Sequence, residues 1–132
     1  SDTIIPNVSG NELPYAPKHN LIIGLSSNYD SKVFFMLNYK YISKCFSDFE
    51  NIDFTYNRGD TGPIPSYWLL NCSIGFKATN NLNVTISGKN LLDKKYIGSR
   101  LHSNPRQKWA SSSSGIIPGL GRQINLVLSF NF

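Results

Sequence analysis

The residues that could do chemistry lie mostly in one connection, Asn90 to Leu120. It carries Lys94, Lys95, Arg100, Arg106 and Lys108 against a single acid, Asp93, together with His102 and Trp109. Arginine suits an anionic ligand because its planar fork meets a carboxylate at two points. Arg100, His102, Arg106 and Lys108 are therefore the candidate ligand-binding residues, for an anion that presents carboxylates. The plainer reading of the same loop is a solvated one, or one paired with lipid phosphates. The other long connection, Ser43 to Pro65, holds Asp48, Glu50, Asp53 and Asp60 against Lys44 and Arg58. It is net acidic, so the basic signal belongs to the later loop.

Other reactive types are scattered. His19 and His102 stand without a second His or a Cys at ligand spacing, and no metal site is expected. Cys45 and Cys72 read as free, small apolar residues. Arg58-Gly59-Asp60 spells an adhesion tripeptide, but NRGDTG is ordinary turn chemistry. Asn90 and Asp93 are expected to bond nearby backbone where a strand ends. No Ser/His/Asp, Cys/His or paired-carboxylate set has supporting context, and the chain is not expected to be an enzyme. The net charge of +5 is not gathered in one run or on one helix face, so no nucleic-acid partner is expected.

The elements that must position these residues are strands. In GRQINLVLSFNF, Gly121 to Phe132, the residues Ile124, Leu126, Leu128, Phe130 and Phe132 share one face. Gln123, Asn125, Ser129 and Asn131 share the other, with Val127 among them. A period of two is a β-strand. The same alternation predicts strands over 21–29, 32–43, 66–78 and 82–90. Asp30-Ser31 and Asn80-Asn81 are short turns, and 43–65 and 90–120 are long connections without predicted elements. The expected fold is all-β: a five-stranded antiparallel up-and-down sheet, the strands pairing in sequence order.

Composition and banding point this sheet towards lipid. Charged residues are 16% and aromatics 13% of the 132 residues. Lys40, Lys77 and Lys89 all fall on the face opposite the apolar one. A lysine on the lipid face costs about 2–4 kcal/mol at the bilayer midplane, so this segregation is what a lipid-facing sheet requires. Arg122 breaks the parity, at a strand end where the cost is small. Tyr29, Phe35, Phe76, Phe130 and Phe132 fall at the short-turn end, and Tyr39, Tyr41 and Trp68 at the other. Two aromatic bands and a short–long–short–long rhythm of connections match a membrane barrel.

Several stretches resemble the late barrel strands of TonB-dependent outer-membrane receptors. They are GNELPYAPKH (Gly10 to His19), GPIPSYWLLNCSIGF (Gly62 to Phe76) and above all ISGKNLLDKKYIGSR (Ile86 to Arg100). The last is similar to the family's strand-end signature v-x-N-L-f-D-k-x-Y. The loop Ser99 to Gln123 resembles the ferric-citrate receptor type. The resemblance implies that residues 1–132 are the last part of a transmembrane barrel of about 22 strands closed over a lumen plug. The plug and earlier strands are missing here, and the chain starts on loop-like sequence without Met, so a piece of something longer is expected.

The implied function is uptake of a ferric siderophore, ferric citrate in particular, from the bacterial outer membrane. The segment is not expected to act alone. The implied cargo is a ferric chelate, with no resident cofactor. The implied partners are outer-membrane lipid and lipopolysaccharide, the barrel-assembly machinery through the strand ending at Phe132, and the TonB complex through the plug. Two alternatives remain open: a barrel segment of an adhesin or autotransporter, and a soluble β-barrel that binds an apolar ligand.

Overall fold

The computed structural model describes residues 7–55, 59–101 and 115–131. The strands are β1 (Asn20–Tyr29), β2 (Val33–Ile42), β3 (Tyr67–Lys77), β4 (Leu82–Lys89), β5 (Ile97–Arg100), β6 (Ile116–Pro118) and β7 (Gln123–Phe130). Five of them form one sheet in the order β1-β2-β3-β4-β7, and β5 and β6 form a separate ribbon. The five strands of the large sheet are those the alternation predicts: β1 starts one residue earlier, and the other four are trimmed by a residue or two at one or both ends.

The register explains why the alternation was so regular. Ile74, Ile86 and Leu126 form one row across β3, β4 and β7. Phe76, Val84 and Leu128 form the next. Across β1 and β2, Ile23 lies opposite Tyr39 and Leu25 opposite Leu37. The other face carries Ser73, Ser87 and Asn125 in one row and Lys77, Asn83 and Ser129 in another. A slip of one residue would exchange the two faces on any strand, so the pattern fixes the pairing. Phe34 is on the polar face. It covers Gly75, where an added Cβ would come within 2.5 Å of its ring.

The two short connections turn by different chemistry. Asp30 and Ser31 both have positive φ, 51° each. That is the type I′ geometry that matches strand twist. The 78–81 turn has no positive-φ residue among Ala78, Thr79, Asn80 and Asn81. Instead the Asn81 N–H donates to Thr79 Oγ1 at 3.3 Å, and Asn81 Nδ2 donates to the Asn131 carbonyl at 2.8 Å. Asn81 thereby ties the turn to the end of β7.

One expectation fails. The 90–120 connection contains the ribbon, with Ile97 opposite Pro118, Ser99 opposite Ile117 and Arg100 opposite Ile116. Its strands have 4 and 3 residues, too short for a period to show, and a shift between Ile97 and Ser99 breaks what period there is. Pairing across a long insertion leaves no local trace in sequence.

Two units divide the chain. One comprises Asn20–Ile42, Trp68–Lys95 and Leu120–Phe132, which hold the large sheet. The other comprises Ser1–His19, Ser43–Tyr67 and Tyr96–Gly119. Among the described residues the buried apolar side chains are Cys45 and Ile64, both in the loop unit. The sheet has no buried apolar side chain at all. Leu25 is 63% exposed, Leu126 63% and Ile124 71%. Contiguous exposed apolar patches larger than roughly a few hundred Å² are rare on soluble monomers and mark contact surfaces, and this face has the character of one.

Candidate functional site

In the loop unit, the organising residue is Arg100. It is 5% exposed. Its Nε and Nη2 donate to the Pro63 carbonyl at 3.3 and 2.7 Å, and Nη1 donates to the Gly59 carbonyl at 2.6 Å. Nη2 also donates to Thr55 Oγ1 at 3.3 Å. The side chain thus satisfies carbonyls of the acidic loop that sheet pairing leaves open, which buried backbone requires. Tyr15 binds the same residue from the N-terminal segment: its hydroxyl donates to the Arg100 carbonyl at 2.8 Å and accepts from the Arg100 N–H at 3.3 Å. Gly115 completes the fit, since an added Cβ would lie 2.2 Å from the Asp60 Cα.

The rest of the loop unit is laced by similar bonds. Asn51, at φ 56°, accepts from the Glu12 N–H at 2.6 Å and donates to the Glu12 carbonyl at 2.9 Å. Ser47 Oγ donates to the Gly62 carbonyl at 2.8 Å. Cys45 pairs with Ile64 as an isolated bridge. Burial, and after it the Glu12 charge, pushes the Cys45 thiol up from its ordinary range. The ring of Tyr67 stacks on Tyr96 with centroids 4.3 Å apart. Gly59, the middle residue of the adhesion-like tripeptide, is buried and its carbonyl accepts from Arg100.

In the sheet unit, the exit from β4 is a second built feature. Asn90 is buried, with φ 49°. Its Nδ2 donates to the carbonyls of Lys94 and Leu120, both at 3.0 Å, and its Oδ1 accepts from the Lys94 N–H at 2.8 Å. Asp93 Oδ1 accepts from the Arg122 N–H at 2.9 Å, and Oδ2 takes Lys95 Nζ at 2.9 Å. The Arg122 N–H, with Lys95 beside it, holds the Asp93 carboxyl below the usual carboxylate range. Asn90 therefore bonds nearby backbone at Lys94, as the sequence predicts, whereas the backbone partner of Asp93 is Arg122, 29 residues away. Beside them Tyr39 stacks on Trp68 at 5.7 Å, and Lys94 Nζ lies over the Trp68 ring at 5.8 Å.

Of the sequence-predicted ligand residues, Arg100 is the one that lies among the described residues. Arg100 is inside the loop unit with its guanidinium fork committed to carbonyl oxygens and a hydroxyl, which leaves no free fork for a carboxylate. The physical reason is the open carbonyls of Gly59 and Pro63, which charge alone could not reveal. His102, Arg106 and Lys108 lie outside the described residues, as does Phe132. The Leu101 N–H donates to the Gly115 carbonyl at 2.7 Å, so the two ends of the intervening segment are held together. Tyr15 was missed as a partner; its only sequence signal was a tyrosine between Pro14 and Pro17. Among the described residues no His, Cys, Asp and Glu cluster could hold a metal, and no helix is long and apolar enough to cross a membrane, which says nothing of strands.

Comparison with known proteins bears on the sheet as a whole. The chain is similar to the solved structure of the ferric citrate transporter FecA in its unliganded form, with 26% identity over 95% of this chain and a TM-score of 0.79. It is similar in fold to the ferric-catecholate import receptor Fiu of E. coli K12 in its open form (20% identity, 90% of this chain, TM-score 0.68). It is likewise similar to the ferric yersiniabactin uptake receptor FyuA of Yersinia pestis (18% identity, 95% of this chain, TM-score 0.67). It spans only 18%, 16% and 18% of those chains. No curated protein matches it by sequence. The family model described as TonB dependent receptor-like, beta-barrel matches residues 1–91. That match covers more than half of the chain and, with the antiparallel sheet in agreement, places the chain in the TonB-dependent receptor β-barrel family.

Proposed function

We propose that this chain is wall and loop sequence of an outer-membrane receptor that imports a ferric chelate, ferric citrate being the preferred cargo. The observation that carries this reading is the likeness to the ferric citrate transporter, at 26% identity over 95% of the chain. In this reading the apolar face of β1, β2, β3, β4 and β7 meets outer-membrane lipid. The long connections 43–66 and 90–122 stand at the outward mouth. TonB acts through a plug outside this chain, and the terminal strand engages the barrel-assembly machinery.

Division of labour within the mouth follows from chemistry. Arg100 holds the basic loop in register with the acidic one, and His102, Arg106 and Lys108 meet the anionic chelate. The test is binding and uptake of ferric citrate by the intact receptor that carries this segment, with and without Arg106→Ala and Lys108→Ala. Each charge-assisted contact is worth about 1.5–3 kcal/mol, so the double variant should bind at least about tenfold more weakly. Unchanged affinity, with the barrel assembled, would reject the ligand role. Tight binding of a catecholate chelate in place of citrate would reject the cargo.

A further inference from the structure

The exit from β4 carries more positive charge than its local bonds consume. Lys94, Lys95 and Arg122 meet there, with Asp93 as the acid among them. Both Asp93 oxygens are already used, one by the Arg122 N–H and one by Lys95. The Lys94 ammonium and the Arg122 guanidinium form no ion pair among the described residues. Lys94 faces the Trp68 ring instead, and the Arg122 guanidinium donates to the Leu91 carbonyl at 3.5 Å while its charge adds to those that hold the Asp93 carboxyl low.

Their side of the sheet is decisive. Arg122 shares parity with Ile124, Leu126 and Leu128. Trp68 and Tyr39 share parity with Ile74 and Leu37, whose rows run across the apolar face. These cations therefore border the apolar face, whereas Lys40, Lys77 and Lys89 lie on the polar one. Directly along β7 from Arg122 comes Ile124, 71% exposed. The Asn90 bonds hold the Lys94 backbone, so the site is built rather than left to a loose loop.

We propose that Lys94, Lys95 and Arg122 bind the phosphate head of an anionic lipid whose acyl chains lie along the apolar face below them. A lipid matches both halves of the surface, cations above and aliphatic rows beneath. A free phosphate would match only the first. Aromatic residues beside the cations suit the depth at which head and chain meet, and basic residues near a membrane surface attract anionic lipid. This inference rests on the wall reading of the sheet given above.

The experiment uses the intact receptor carrying this segment, purified in detergent and titrated with diphosphorylated lipid A or phosphatidylcholine under native mass spectrometry. The wild type should retain lipid A over phosphatidylcholine, and excess inorganic phosphate should not displace it. Lys94→Gln with Lys95→Gln should weaken retention at least about tenfold, and adding Arg122→Gln should weaken it further. Lys40→Gln with Lys89→Gln, which removes the same charge from the polar face, should leave it unchanged. Equal retention by wild type and the Lys94/Lys95 variant, an equal loss in the Lys40/Lys89 control, or displacement by inorganic phosphate would overturn the site. A receptor that stays monodisperse without detergent would instead overturn the wall reading itself.

Discussion

Arg100 shows how one residue type can serve two purposes that sequence does not separate. A net-basic loop invites a ligand role, yet this guanidinium fastens the loop that carries the other cations. The fastening makes a prediction. Arg100→Ala leaves the Gly59 and Pro63 carbonyls without their donor, and a buried acceptor so orphaned costs about 1–3 kcal/mol. In the intact receptor, backbone amide exchange at Leu101 and Cys45 should therefore accelerate. Arg100→Lys should restore less than half of the protection, because one ammonium cannot reach both carbonyls and Thr55 from the fork's position. Exchange equal to wild type in the alanine variant would mean that the carbonyls find water instead. If Arg106 has the ligand role proposed for it, Arg106→Ala should leave exchange unchanged and weaken chelate binding alone.

At the scale of elements, the two faces of the sheet make opposite demands. Leu126 sits mid-strand in β7 opposite Ile86, and Asn125 sits beside it on the other face opposite Ser87. Leu126→Lys should destabilise the assembled barrel by about 2–4 kcal/mol, the midplane cost of a lysine in lipid. Asn125→Lys should change stability little, since its face already carries Lys77 and Lys89. Denaturant unfolding in bilayers measures both, and equal effects would mean that the faces are not divided between lipid and water. This division is also why the strands were legible in sequence. Each large-sheet strand has at least 8 residues and one apolar face, so a period of two could declare itself. The ribbon of β5 and β6 could not, being short and paired across a long insertion. The Arg100 cluster was equally hidden, because its acceptors are backbone carbonyls from a loop some 40 residues away, where no side-chain pattern is required. Asn90 was readable because its bonds to Lys94 are local, whereas its bond to Leu120 and that of Asp93 to Arg122 close across the connection and left no such sign.

For the whole molecule, the decisive quantity is what the sheet leaves unpaired. In the order β1-β2-β3-β4-β7, β1 and β7 are edges. Edge N–H and C=O groups can be hydrated in water but not in hydrocarbon, where each unsatisfied group costs several kcal/mol. Water, in turn, is no solvent for the apolar face of the same sheet. Neither environment suits this chain by itself, and a barrel that supplies strands to both edges resolves the conflict. The chain expressed alone should therefore aggregate or need detergent, and in detergent it should show no sharp cooperative transition. The intact receptor should unfold cooperatively and stay compact in mild SDS. Light scattering and thermal unfolding of the two proteins side by side decide the matter. A monodisperse, detergent-free monomer of the short chain with a sharp transition would show that its edges and apolar face are covered by the chain itself, and the wall reading would fall.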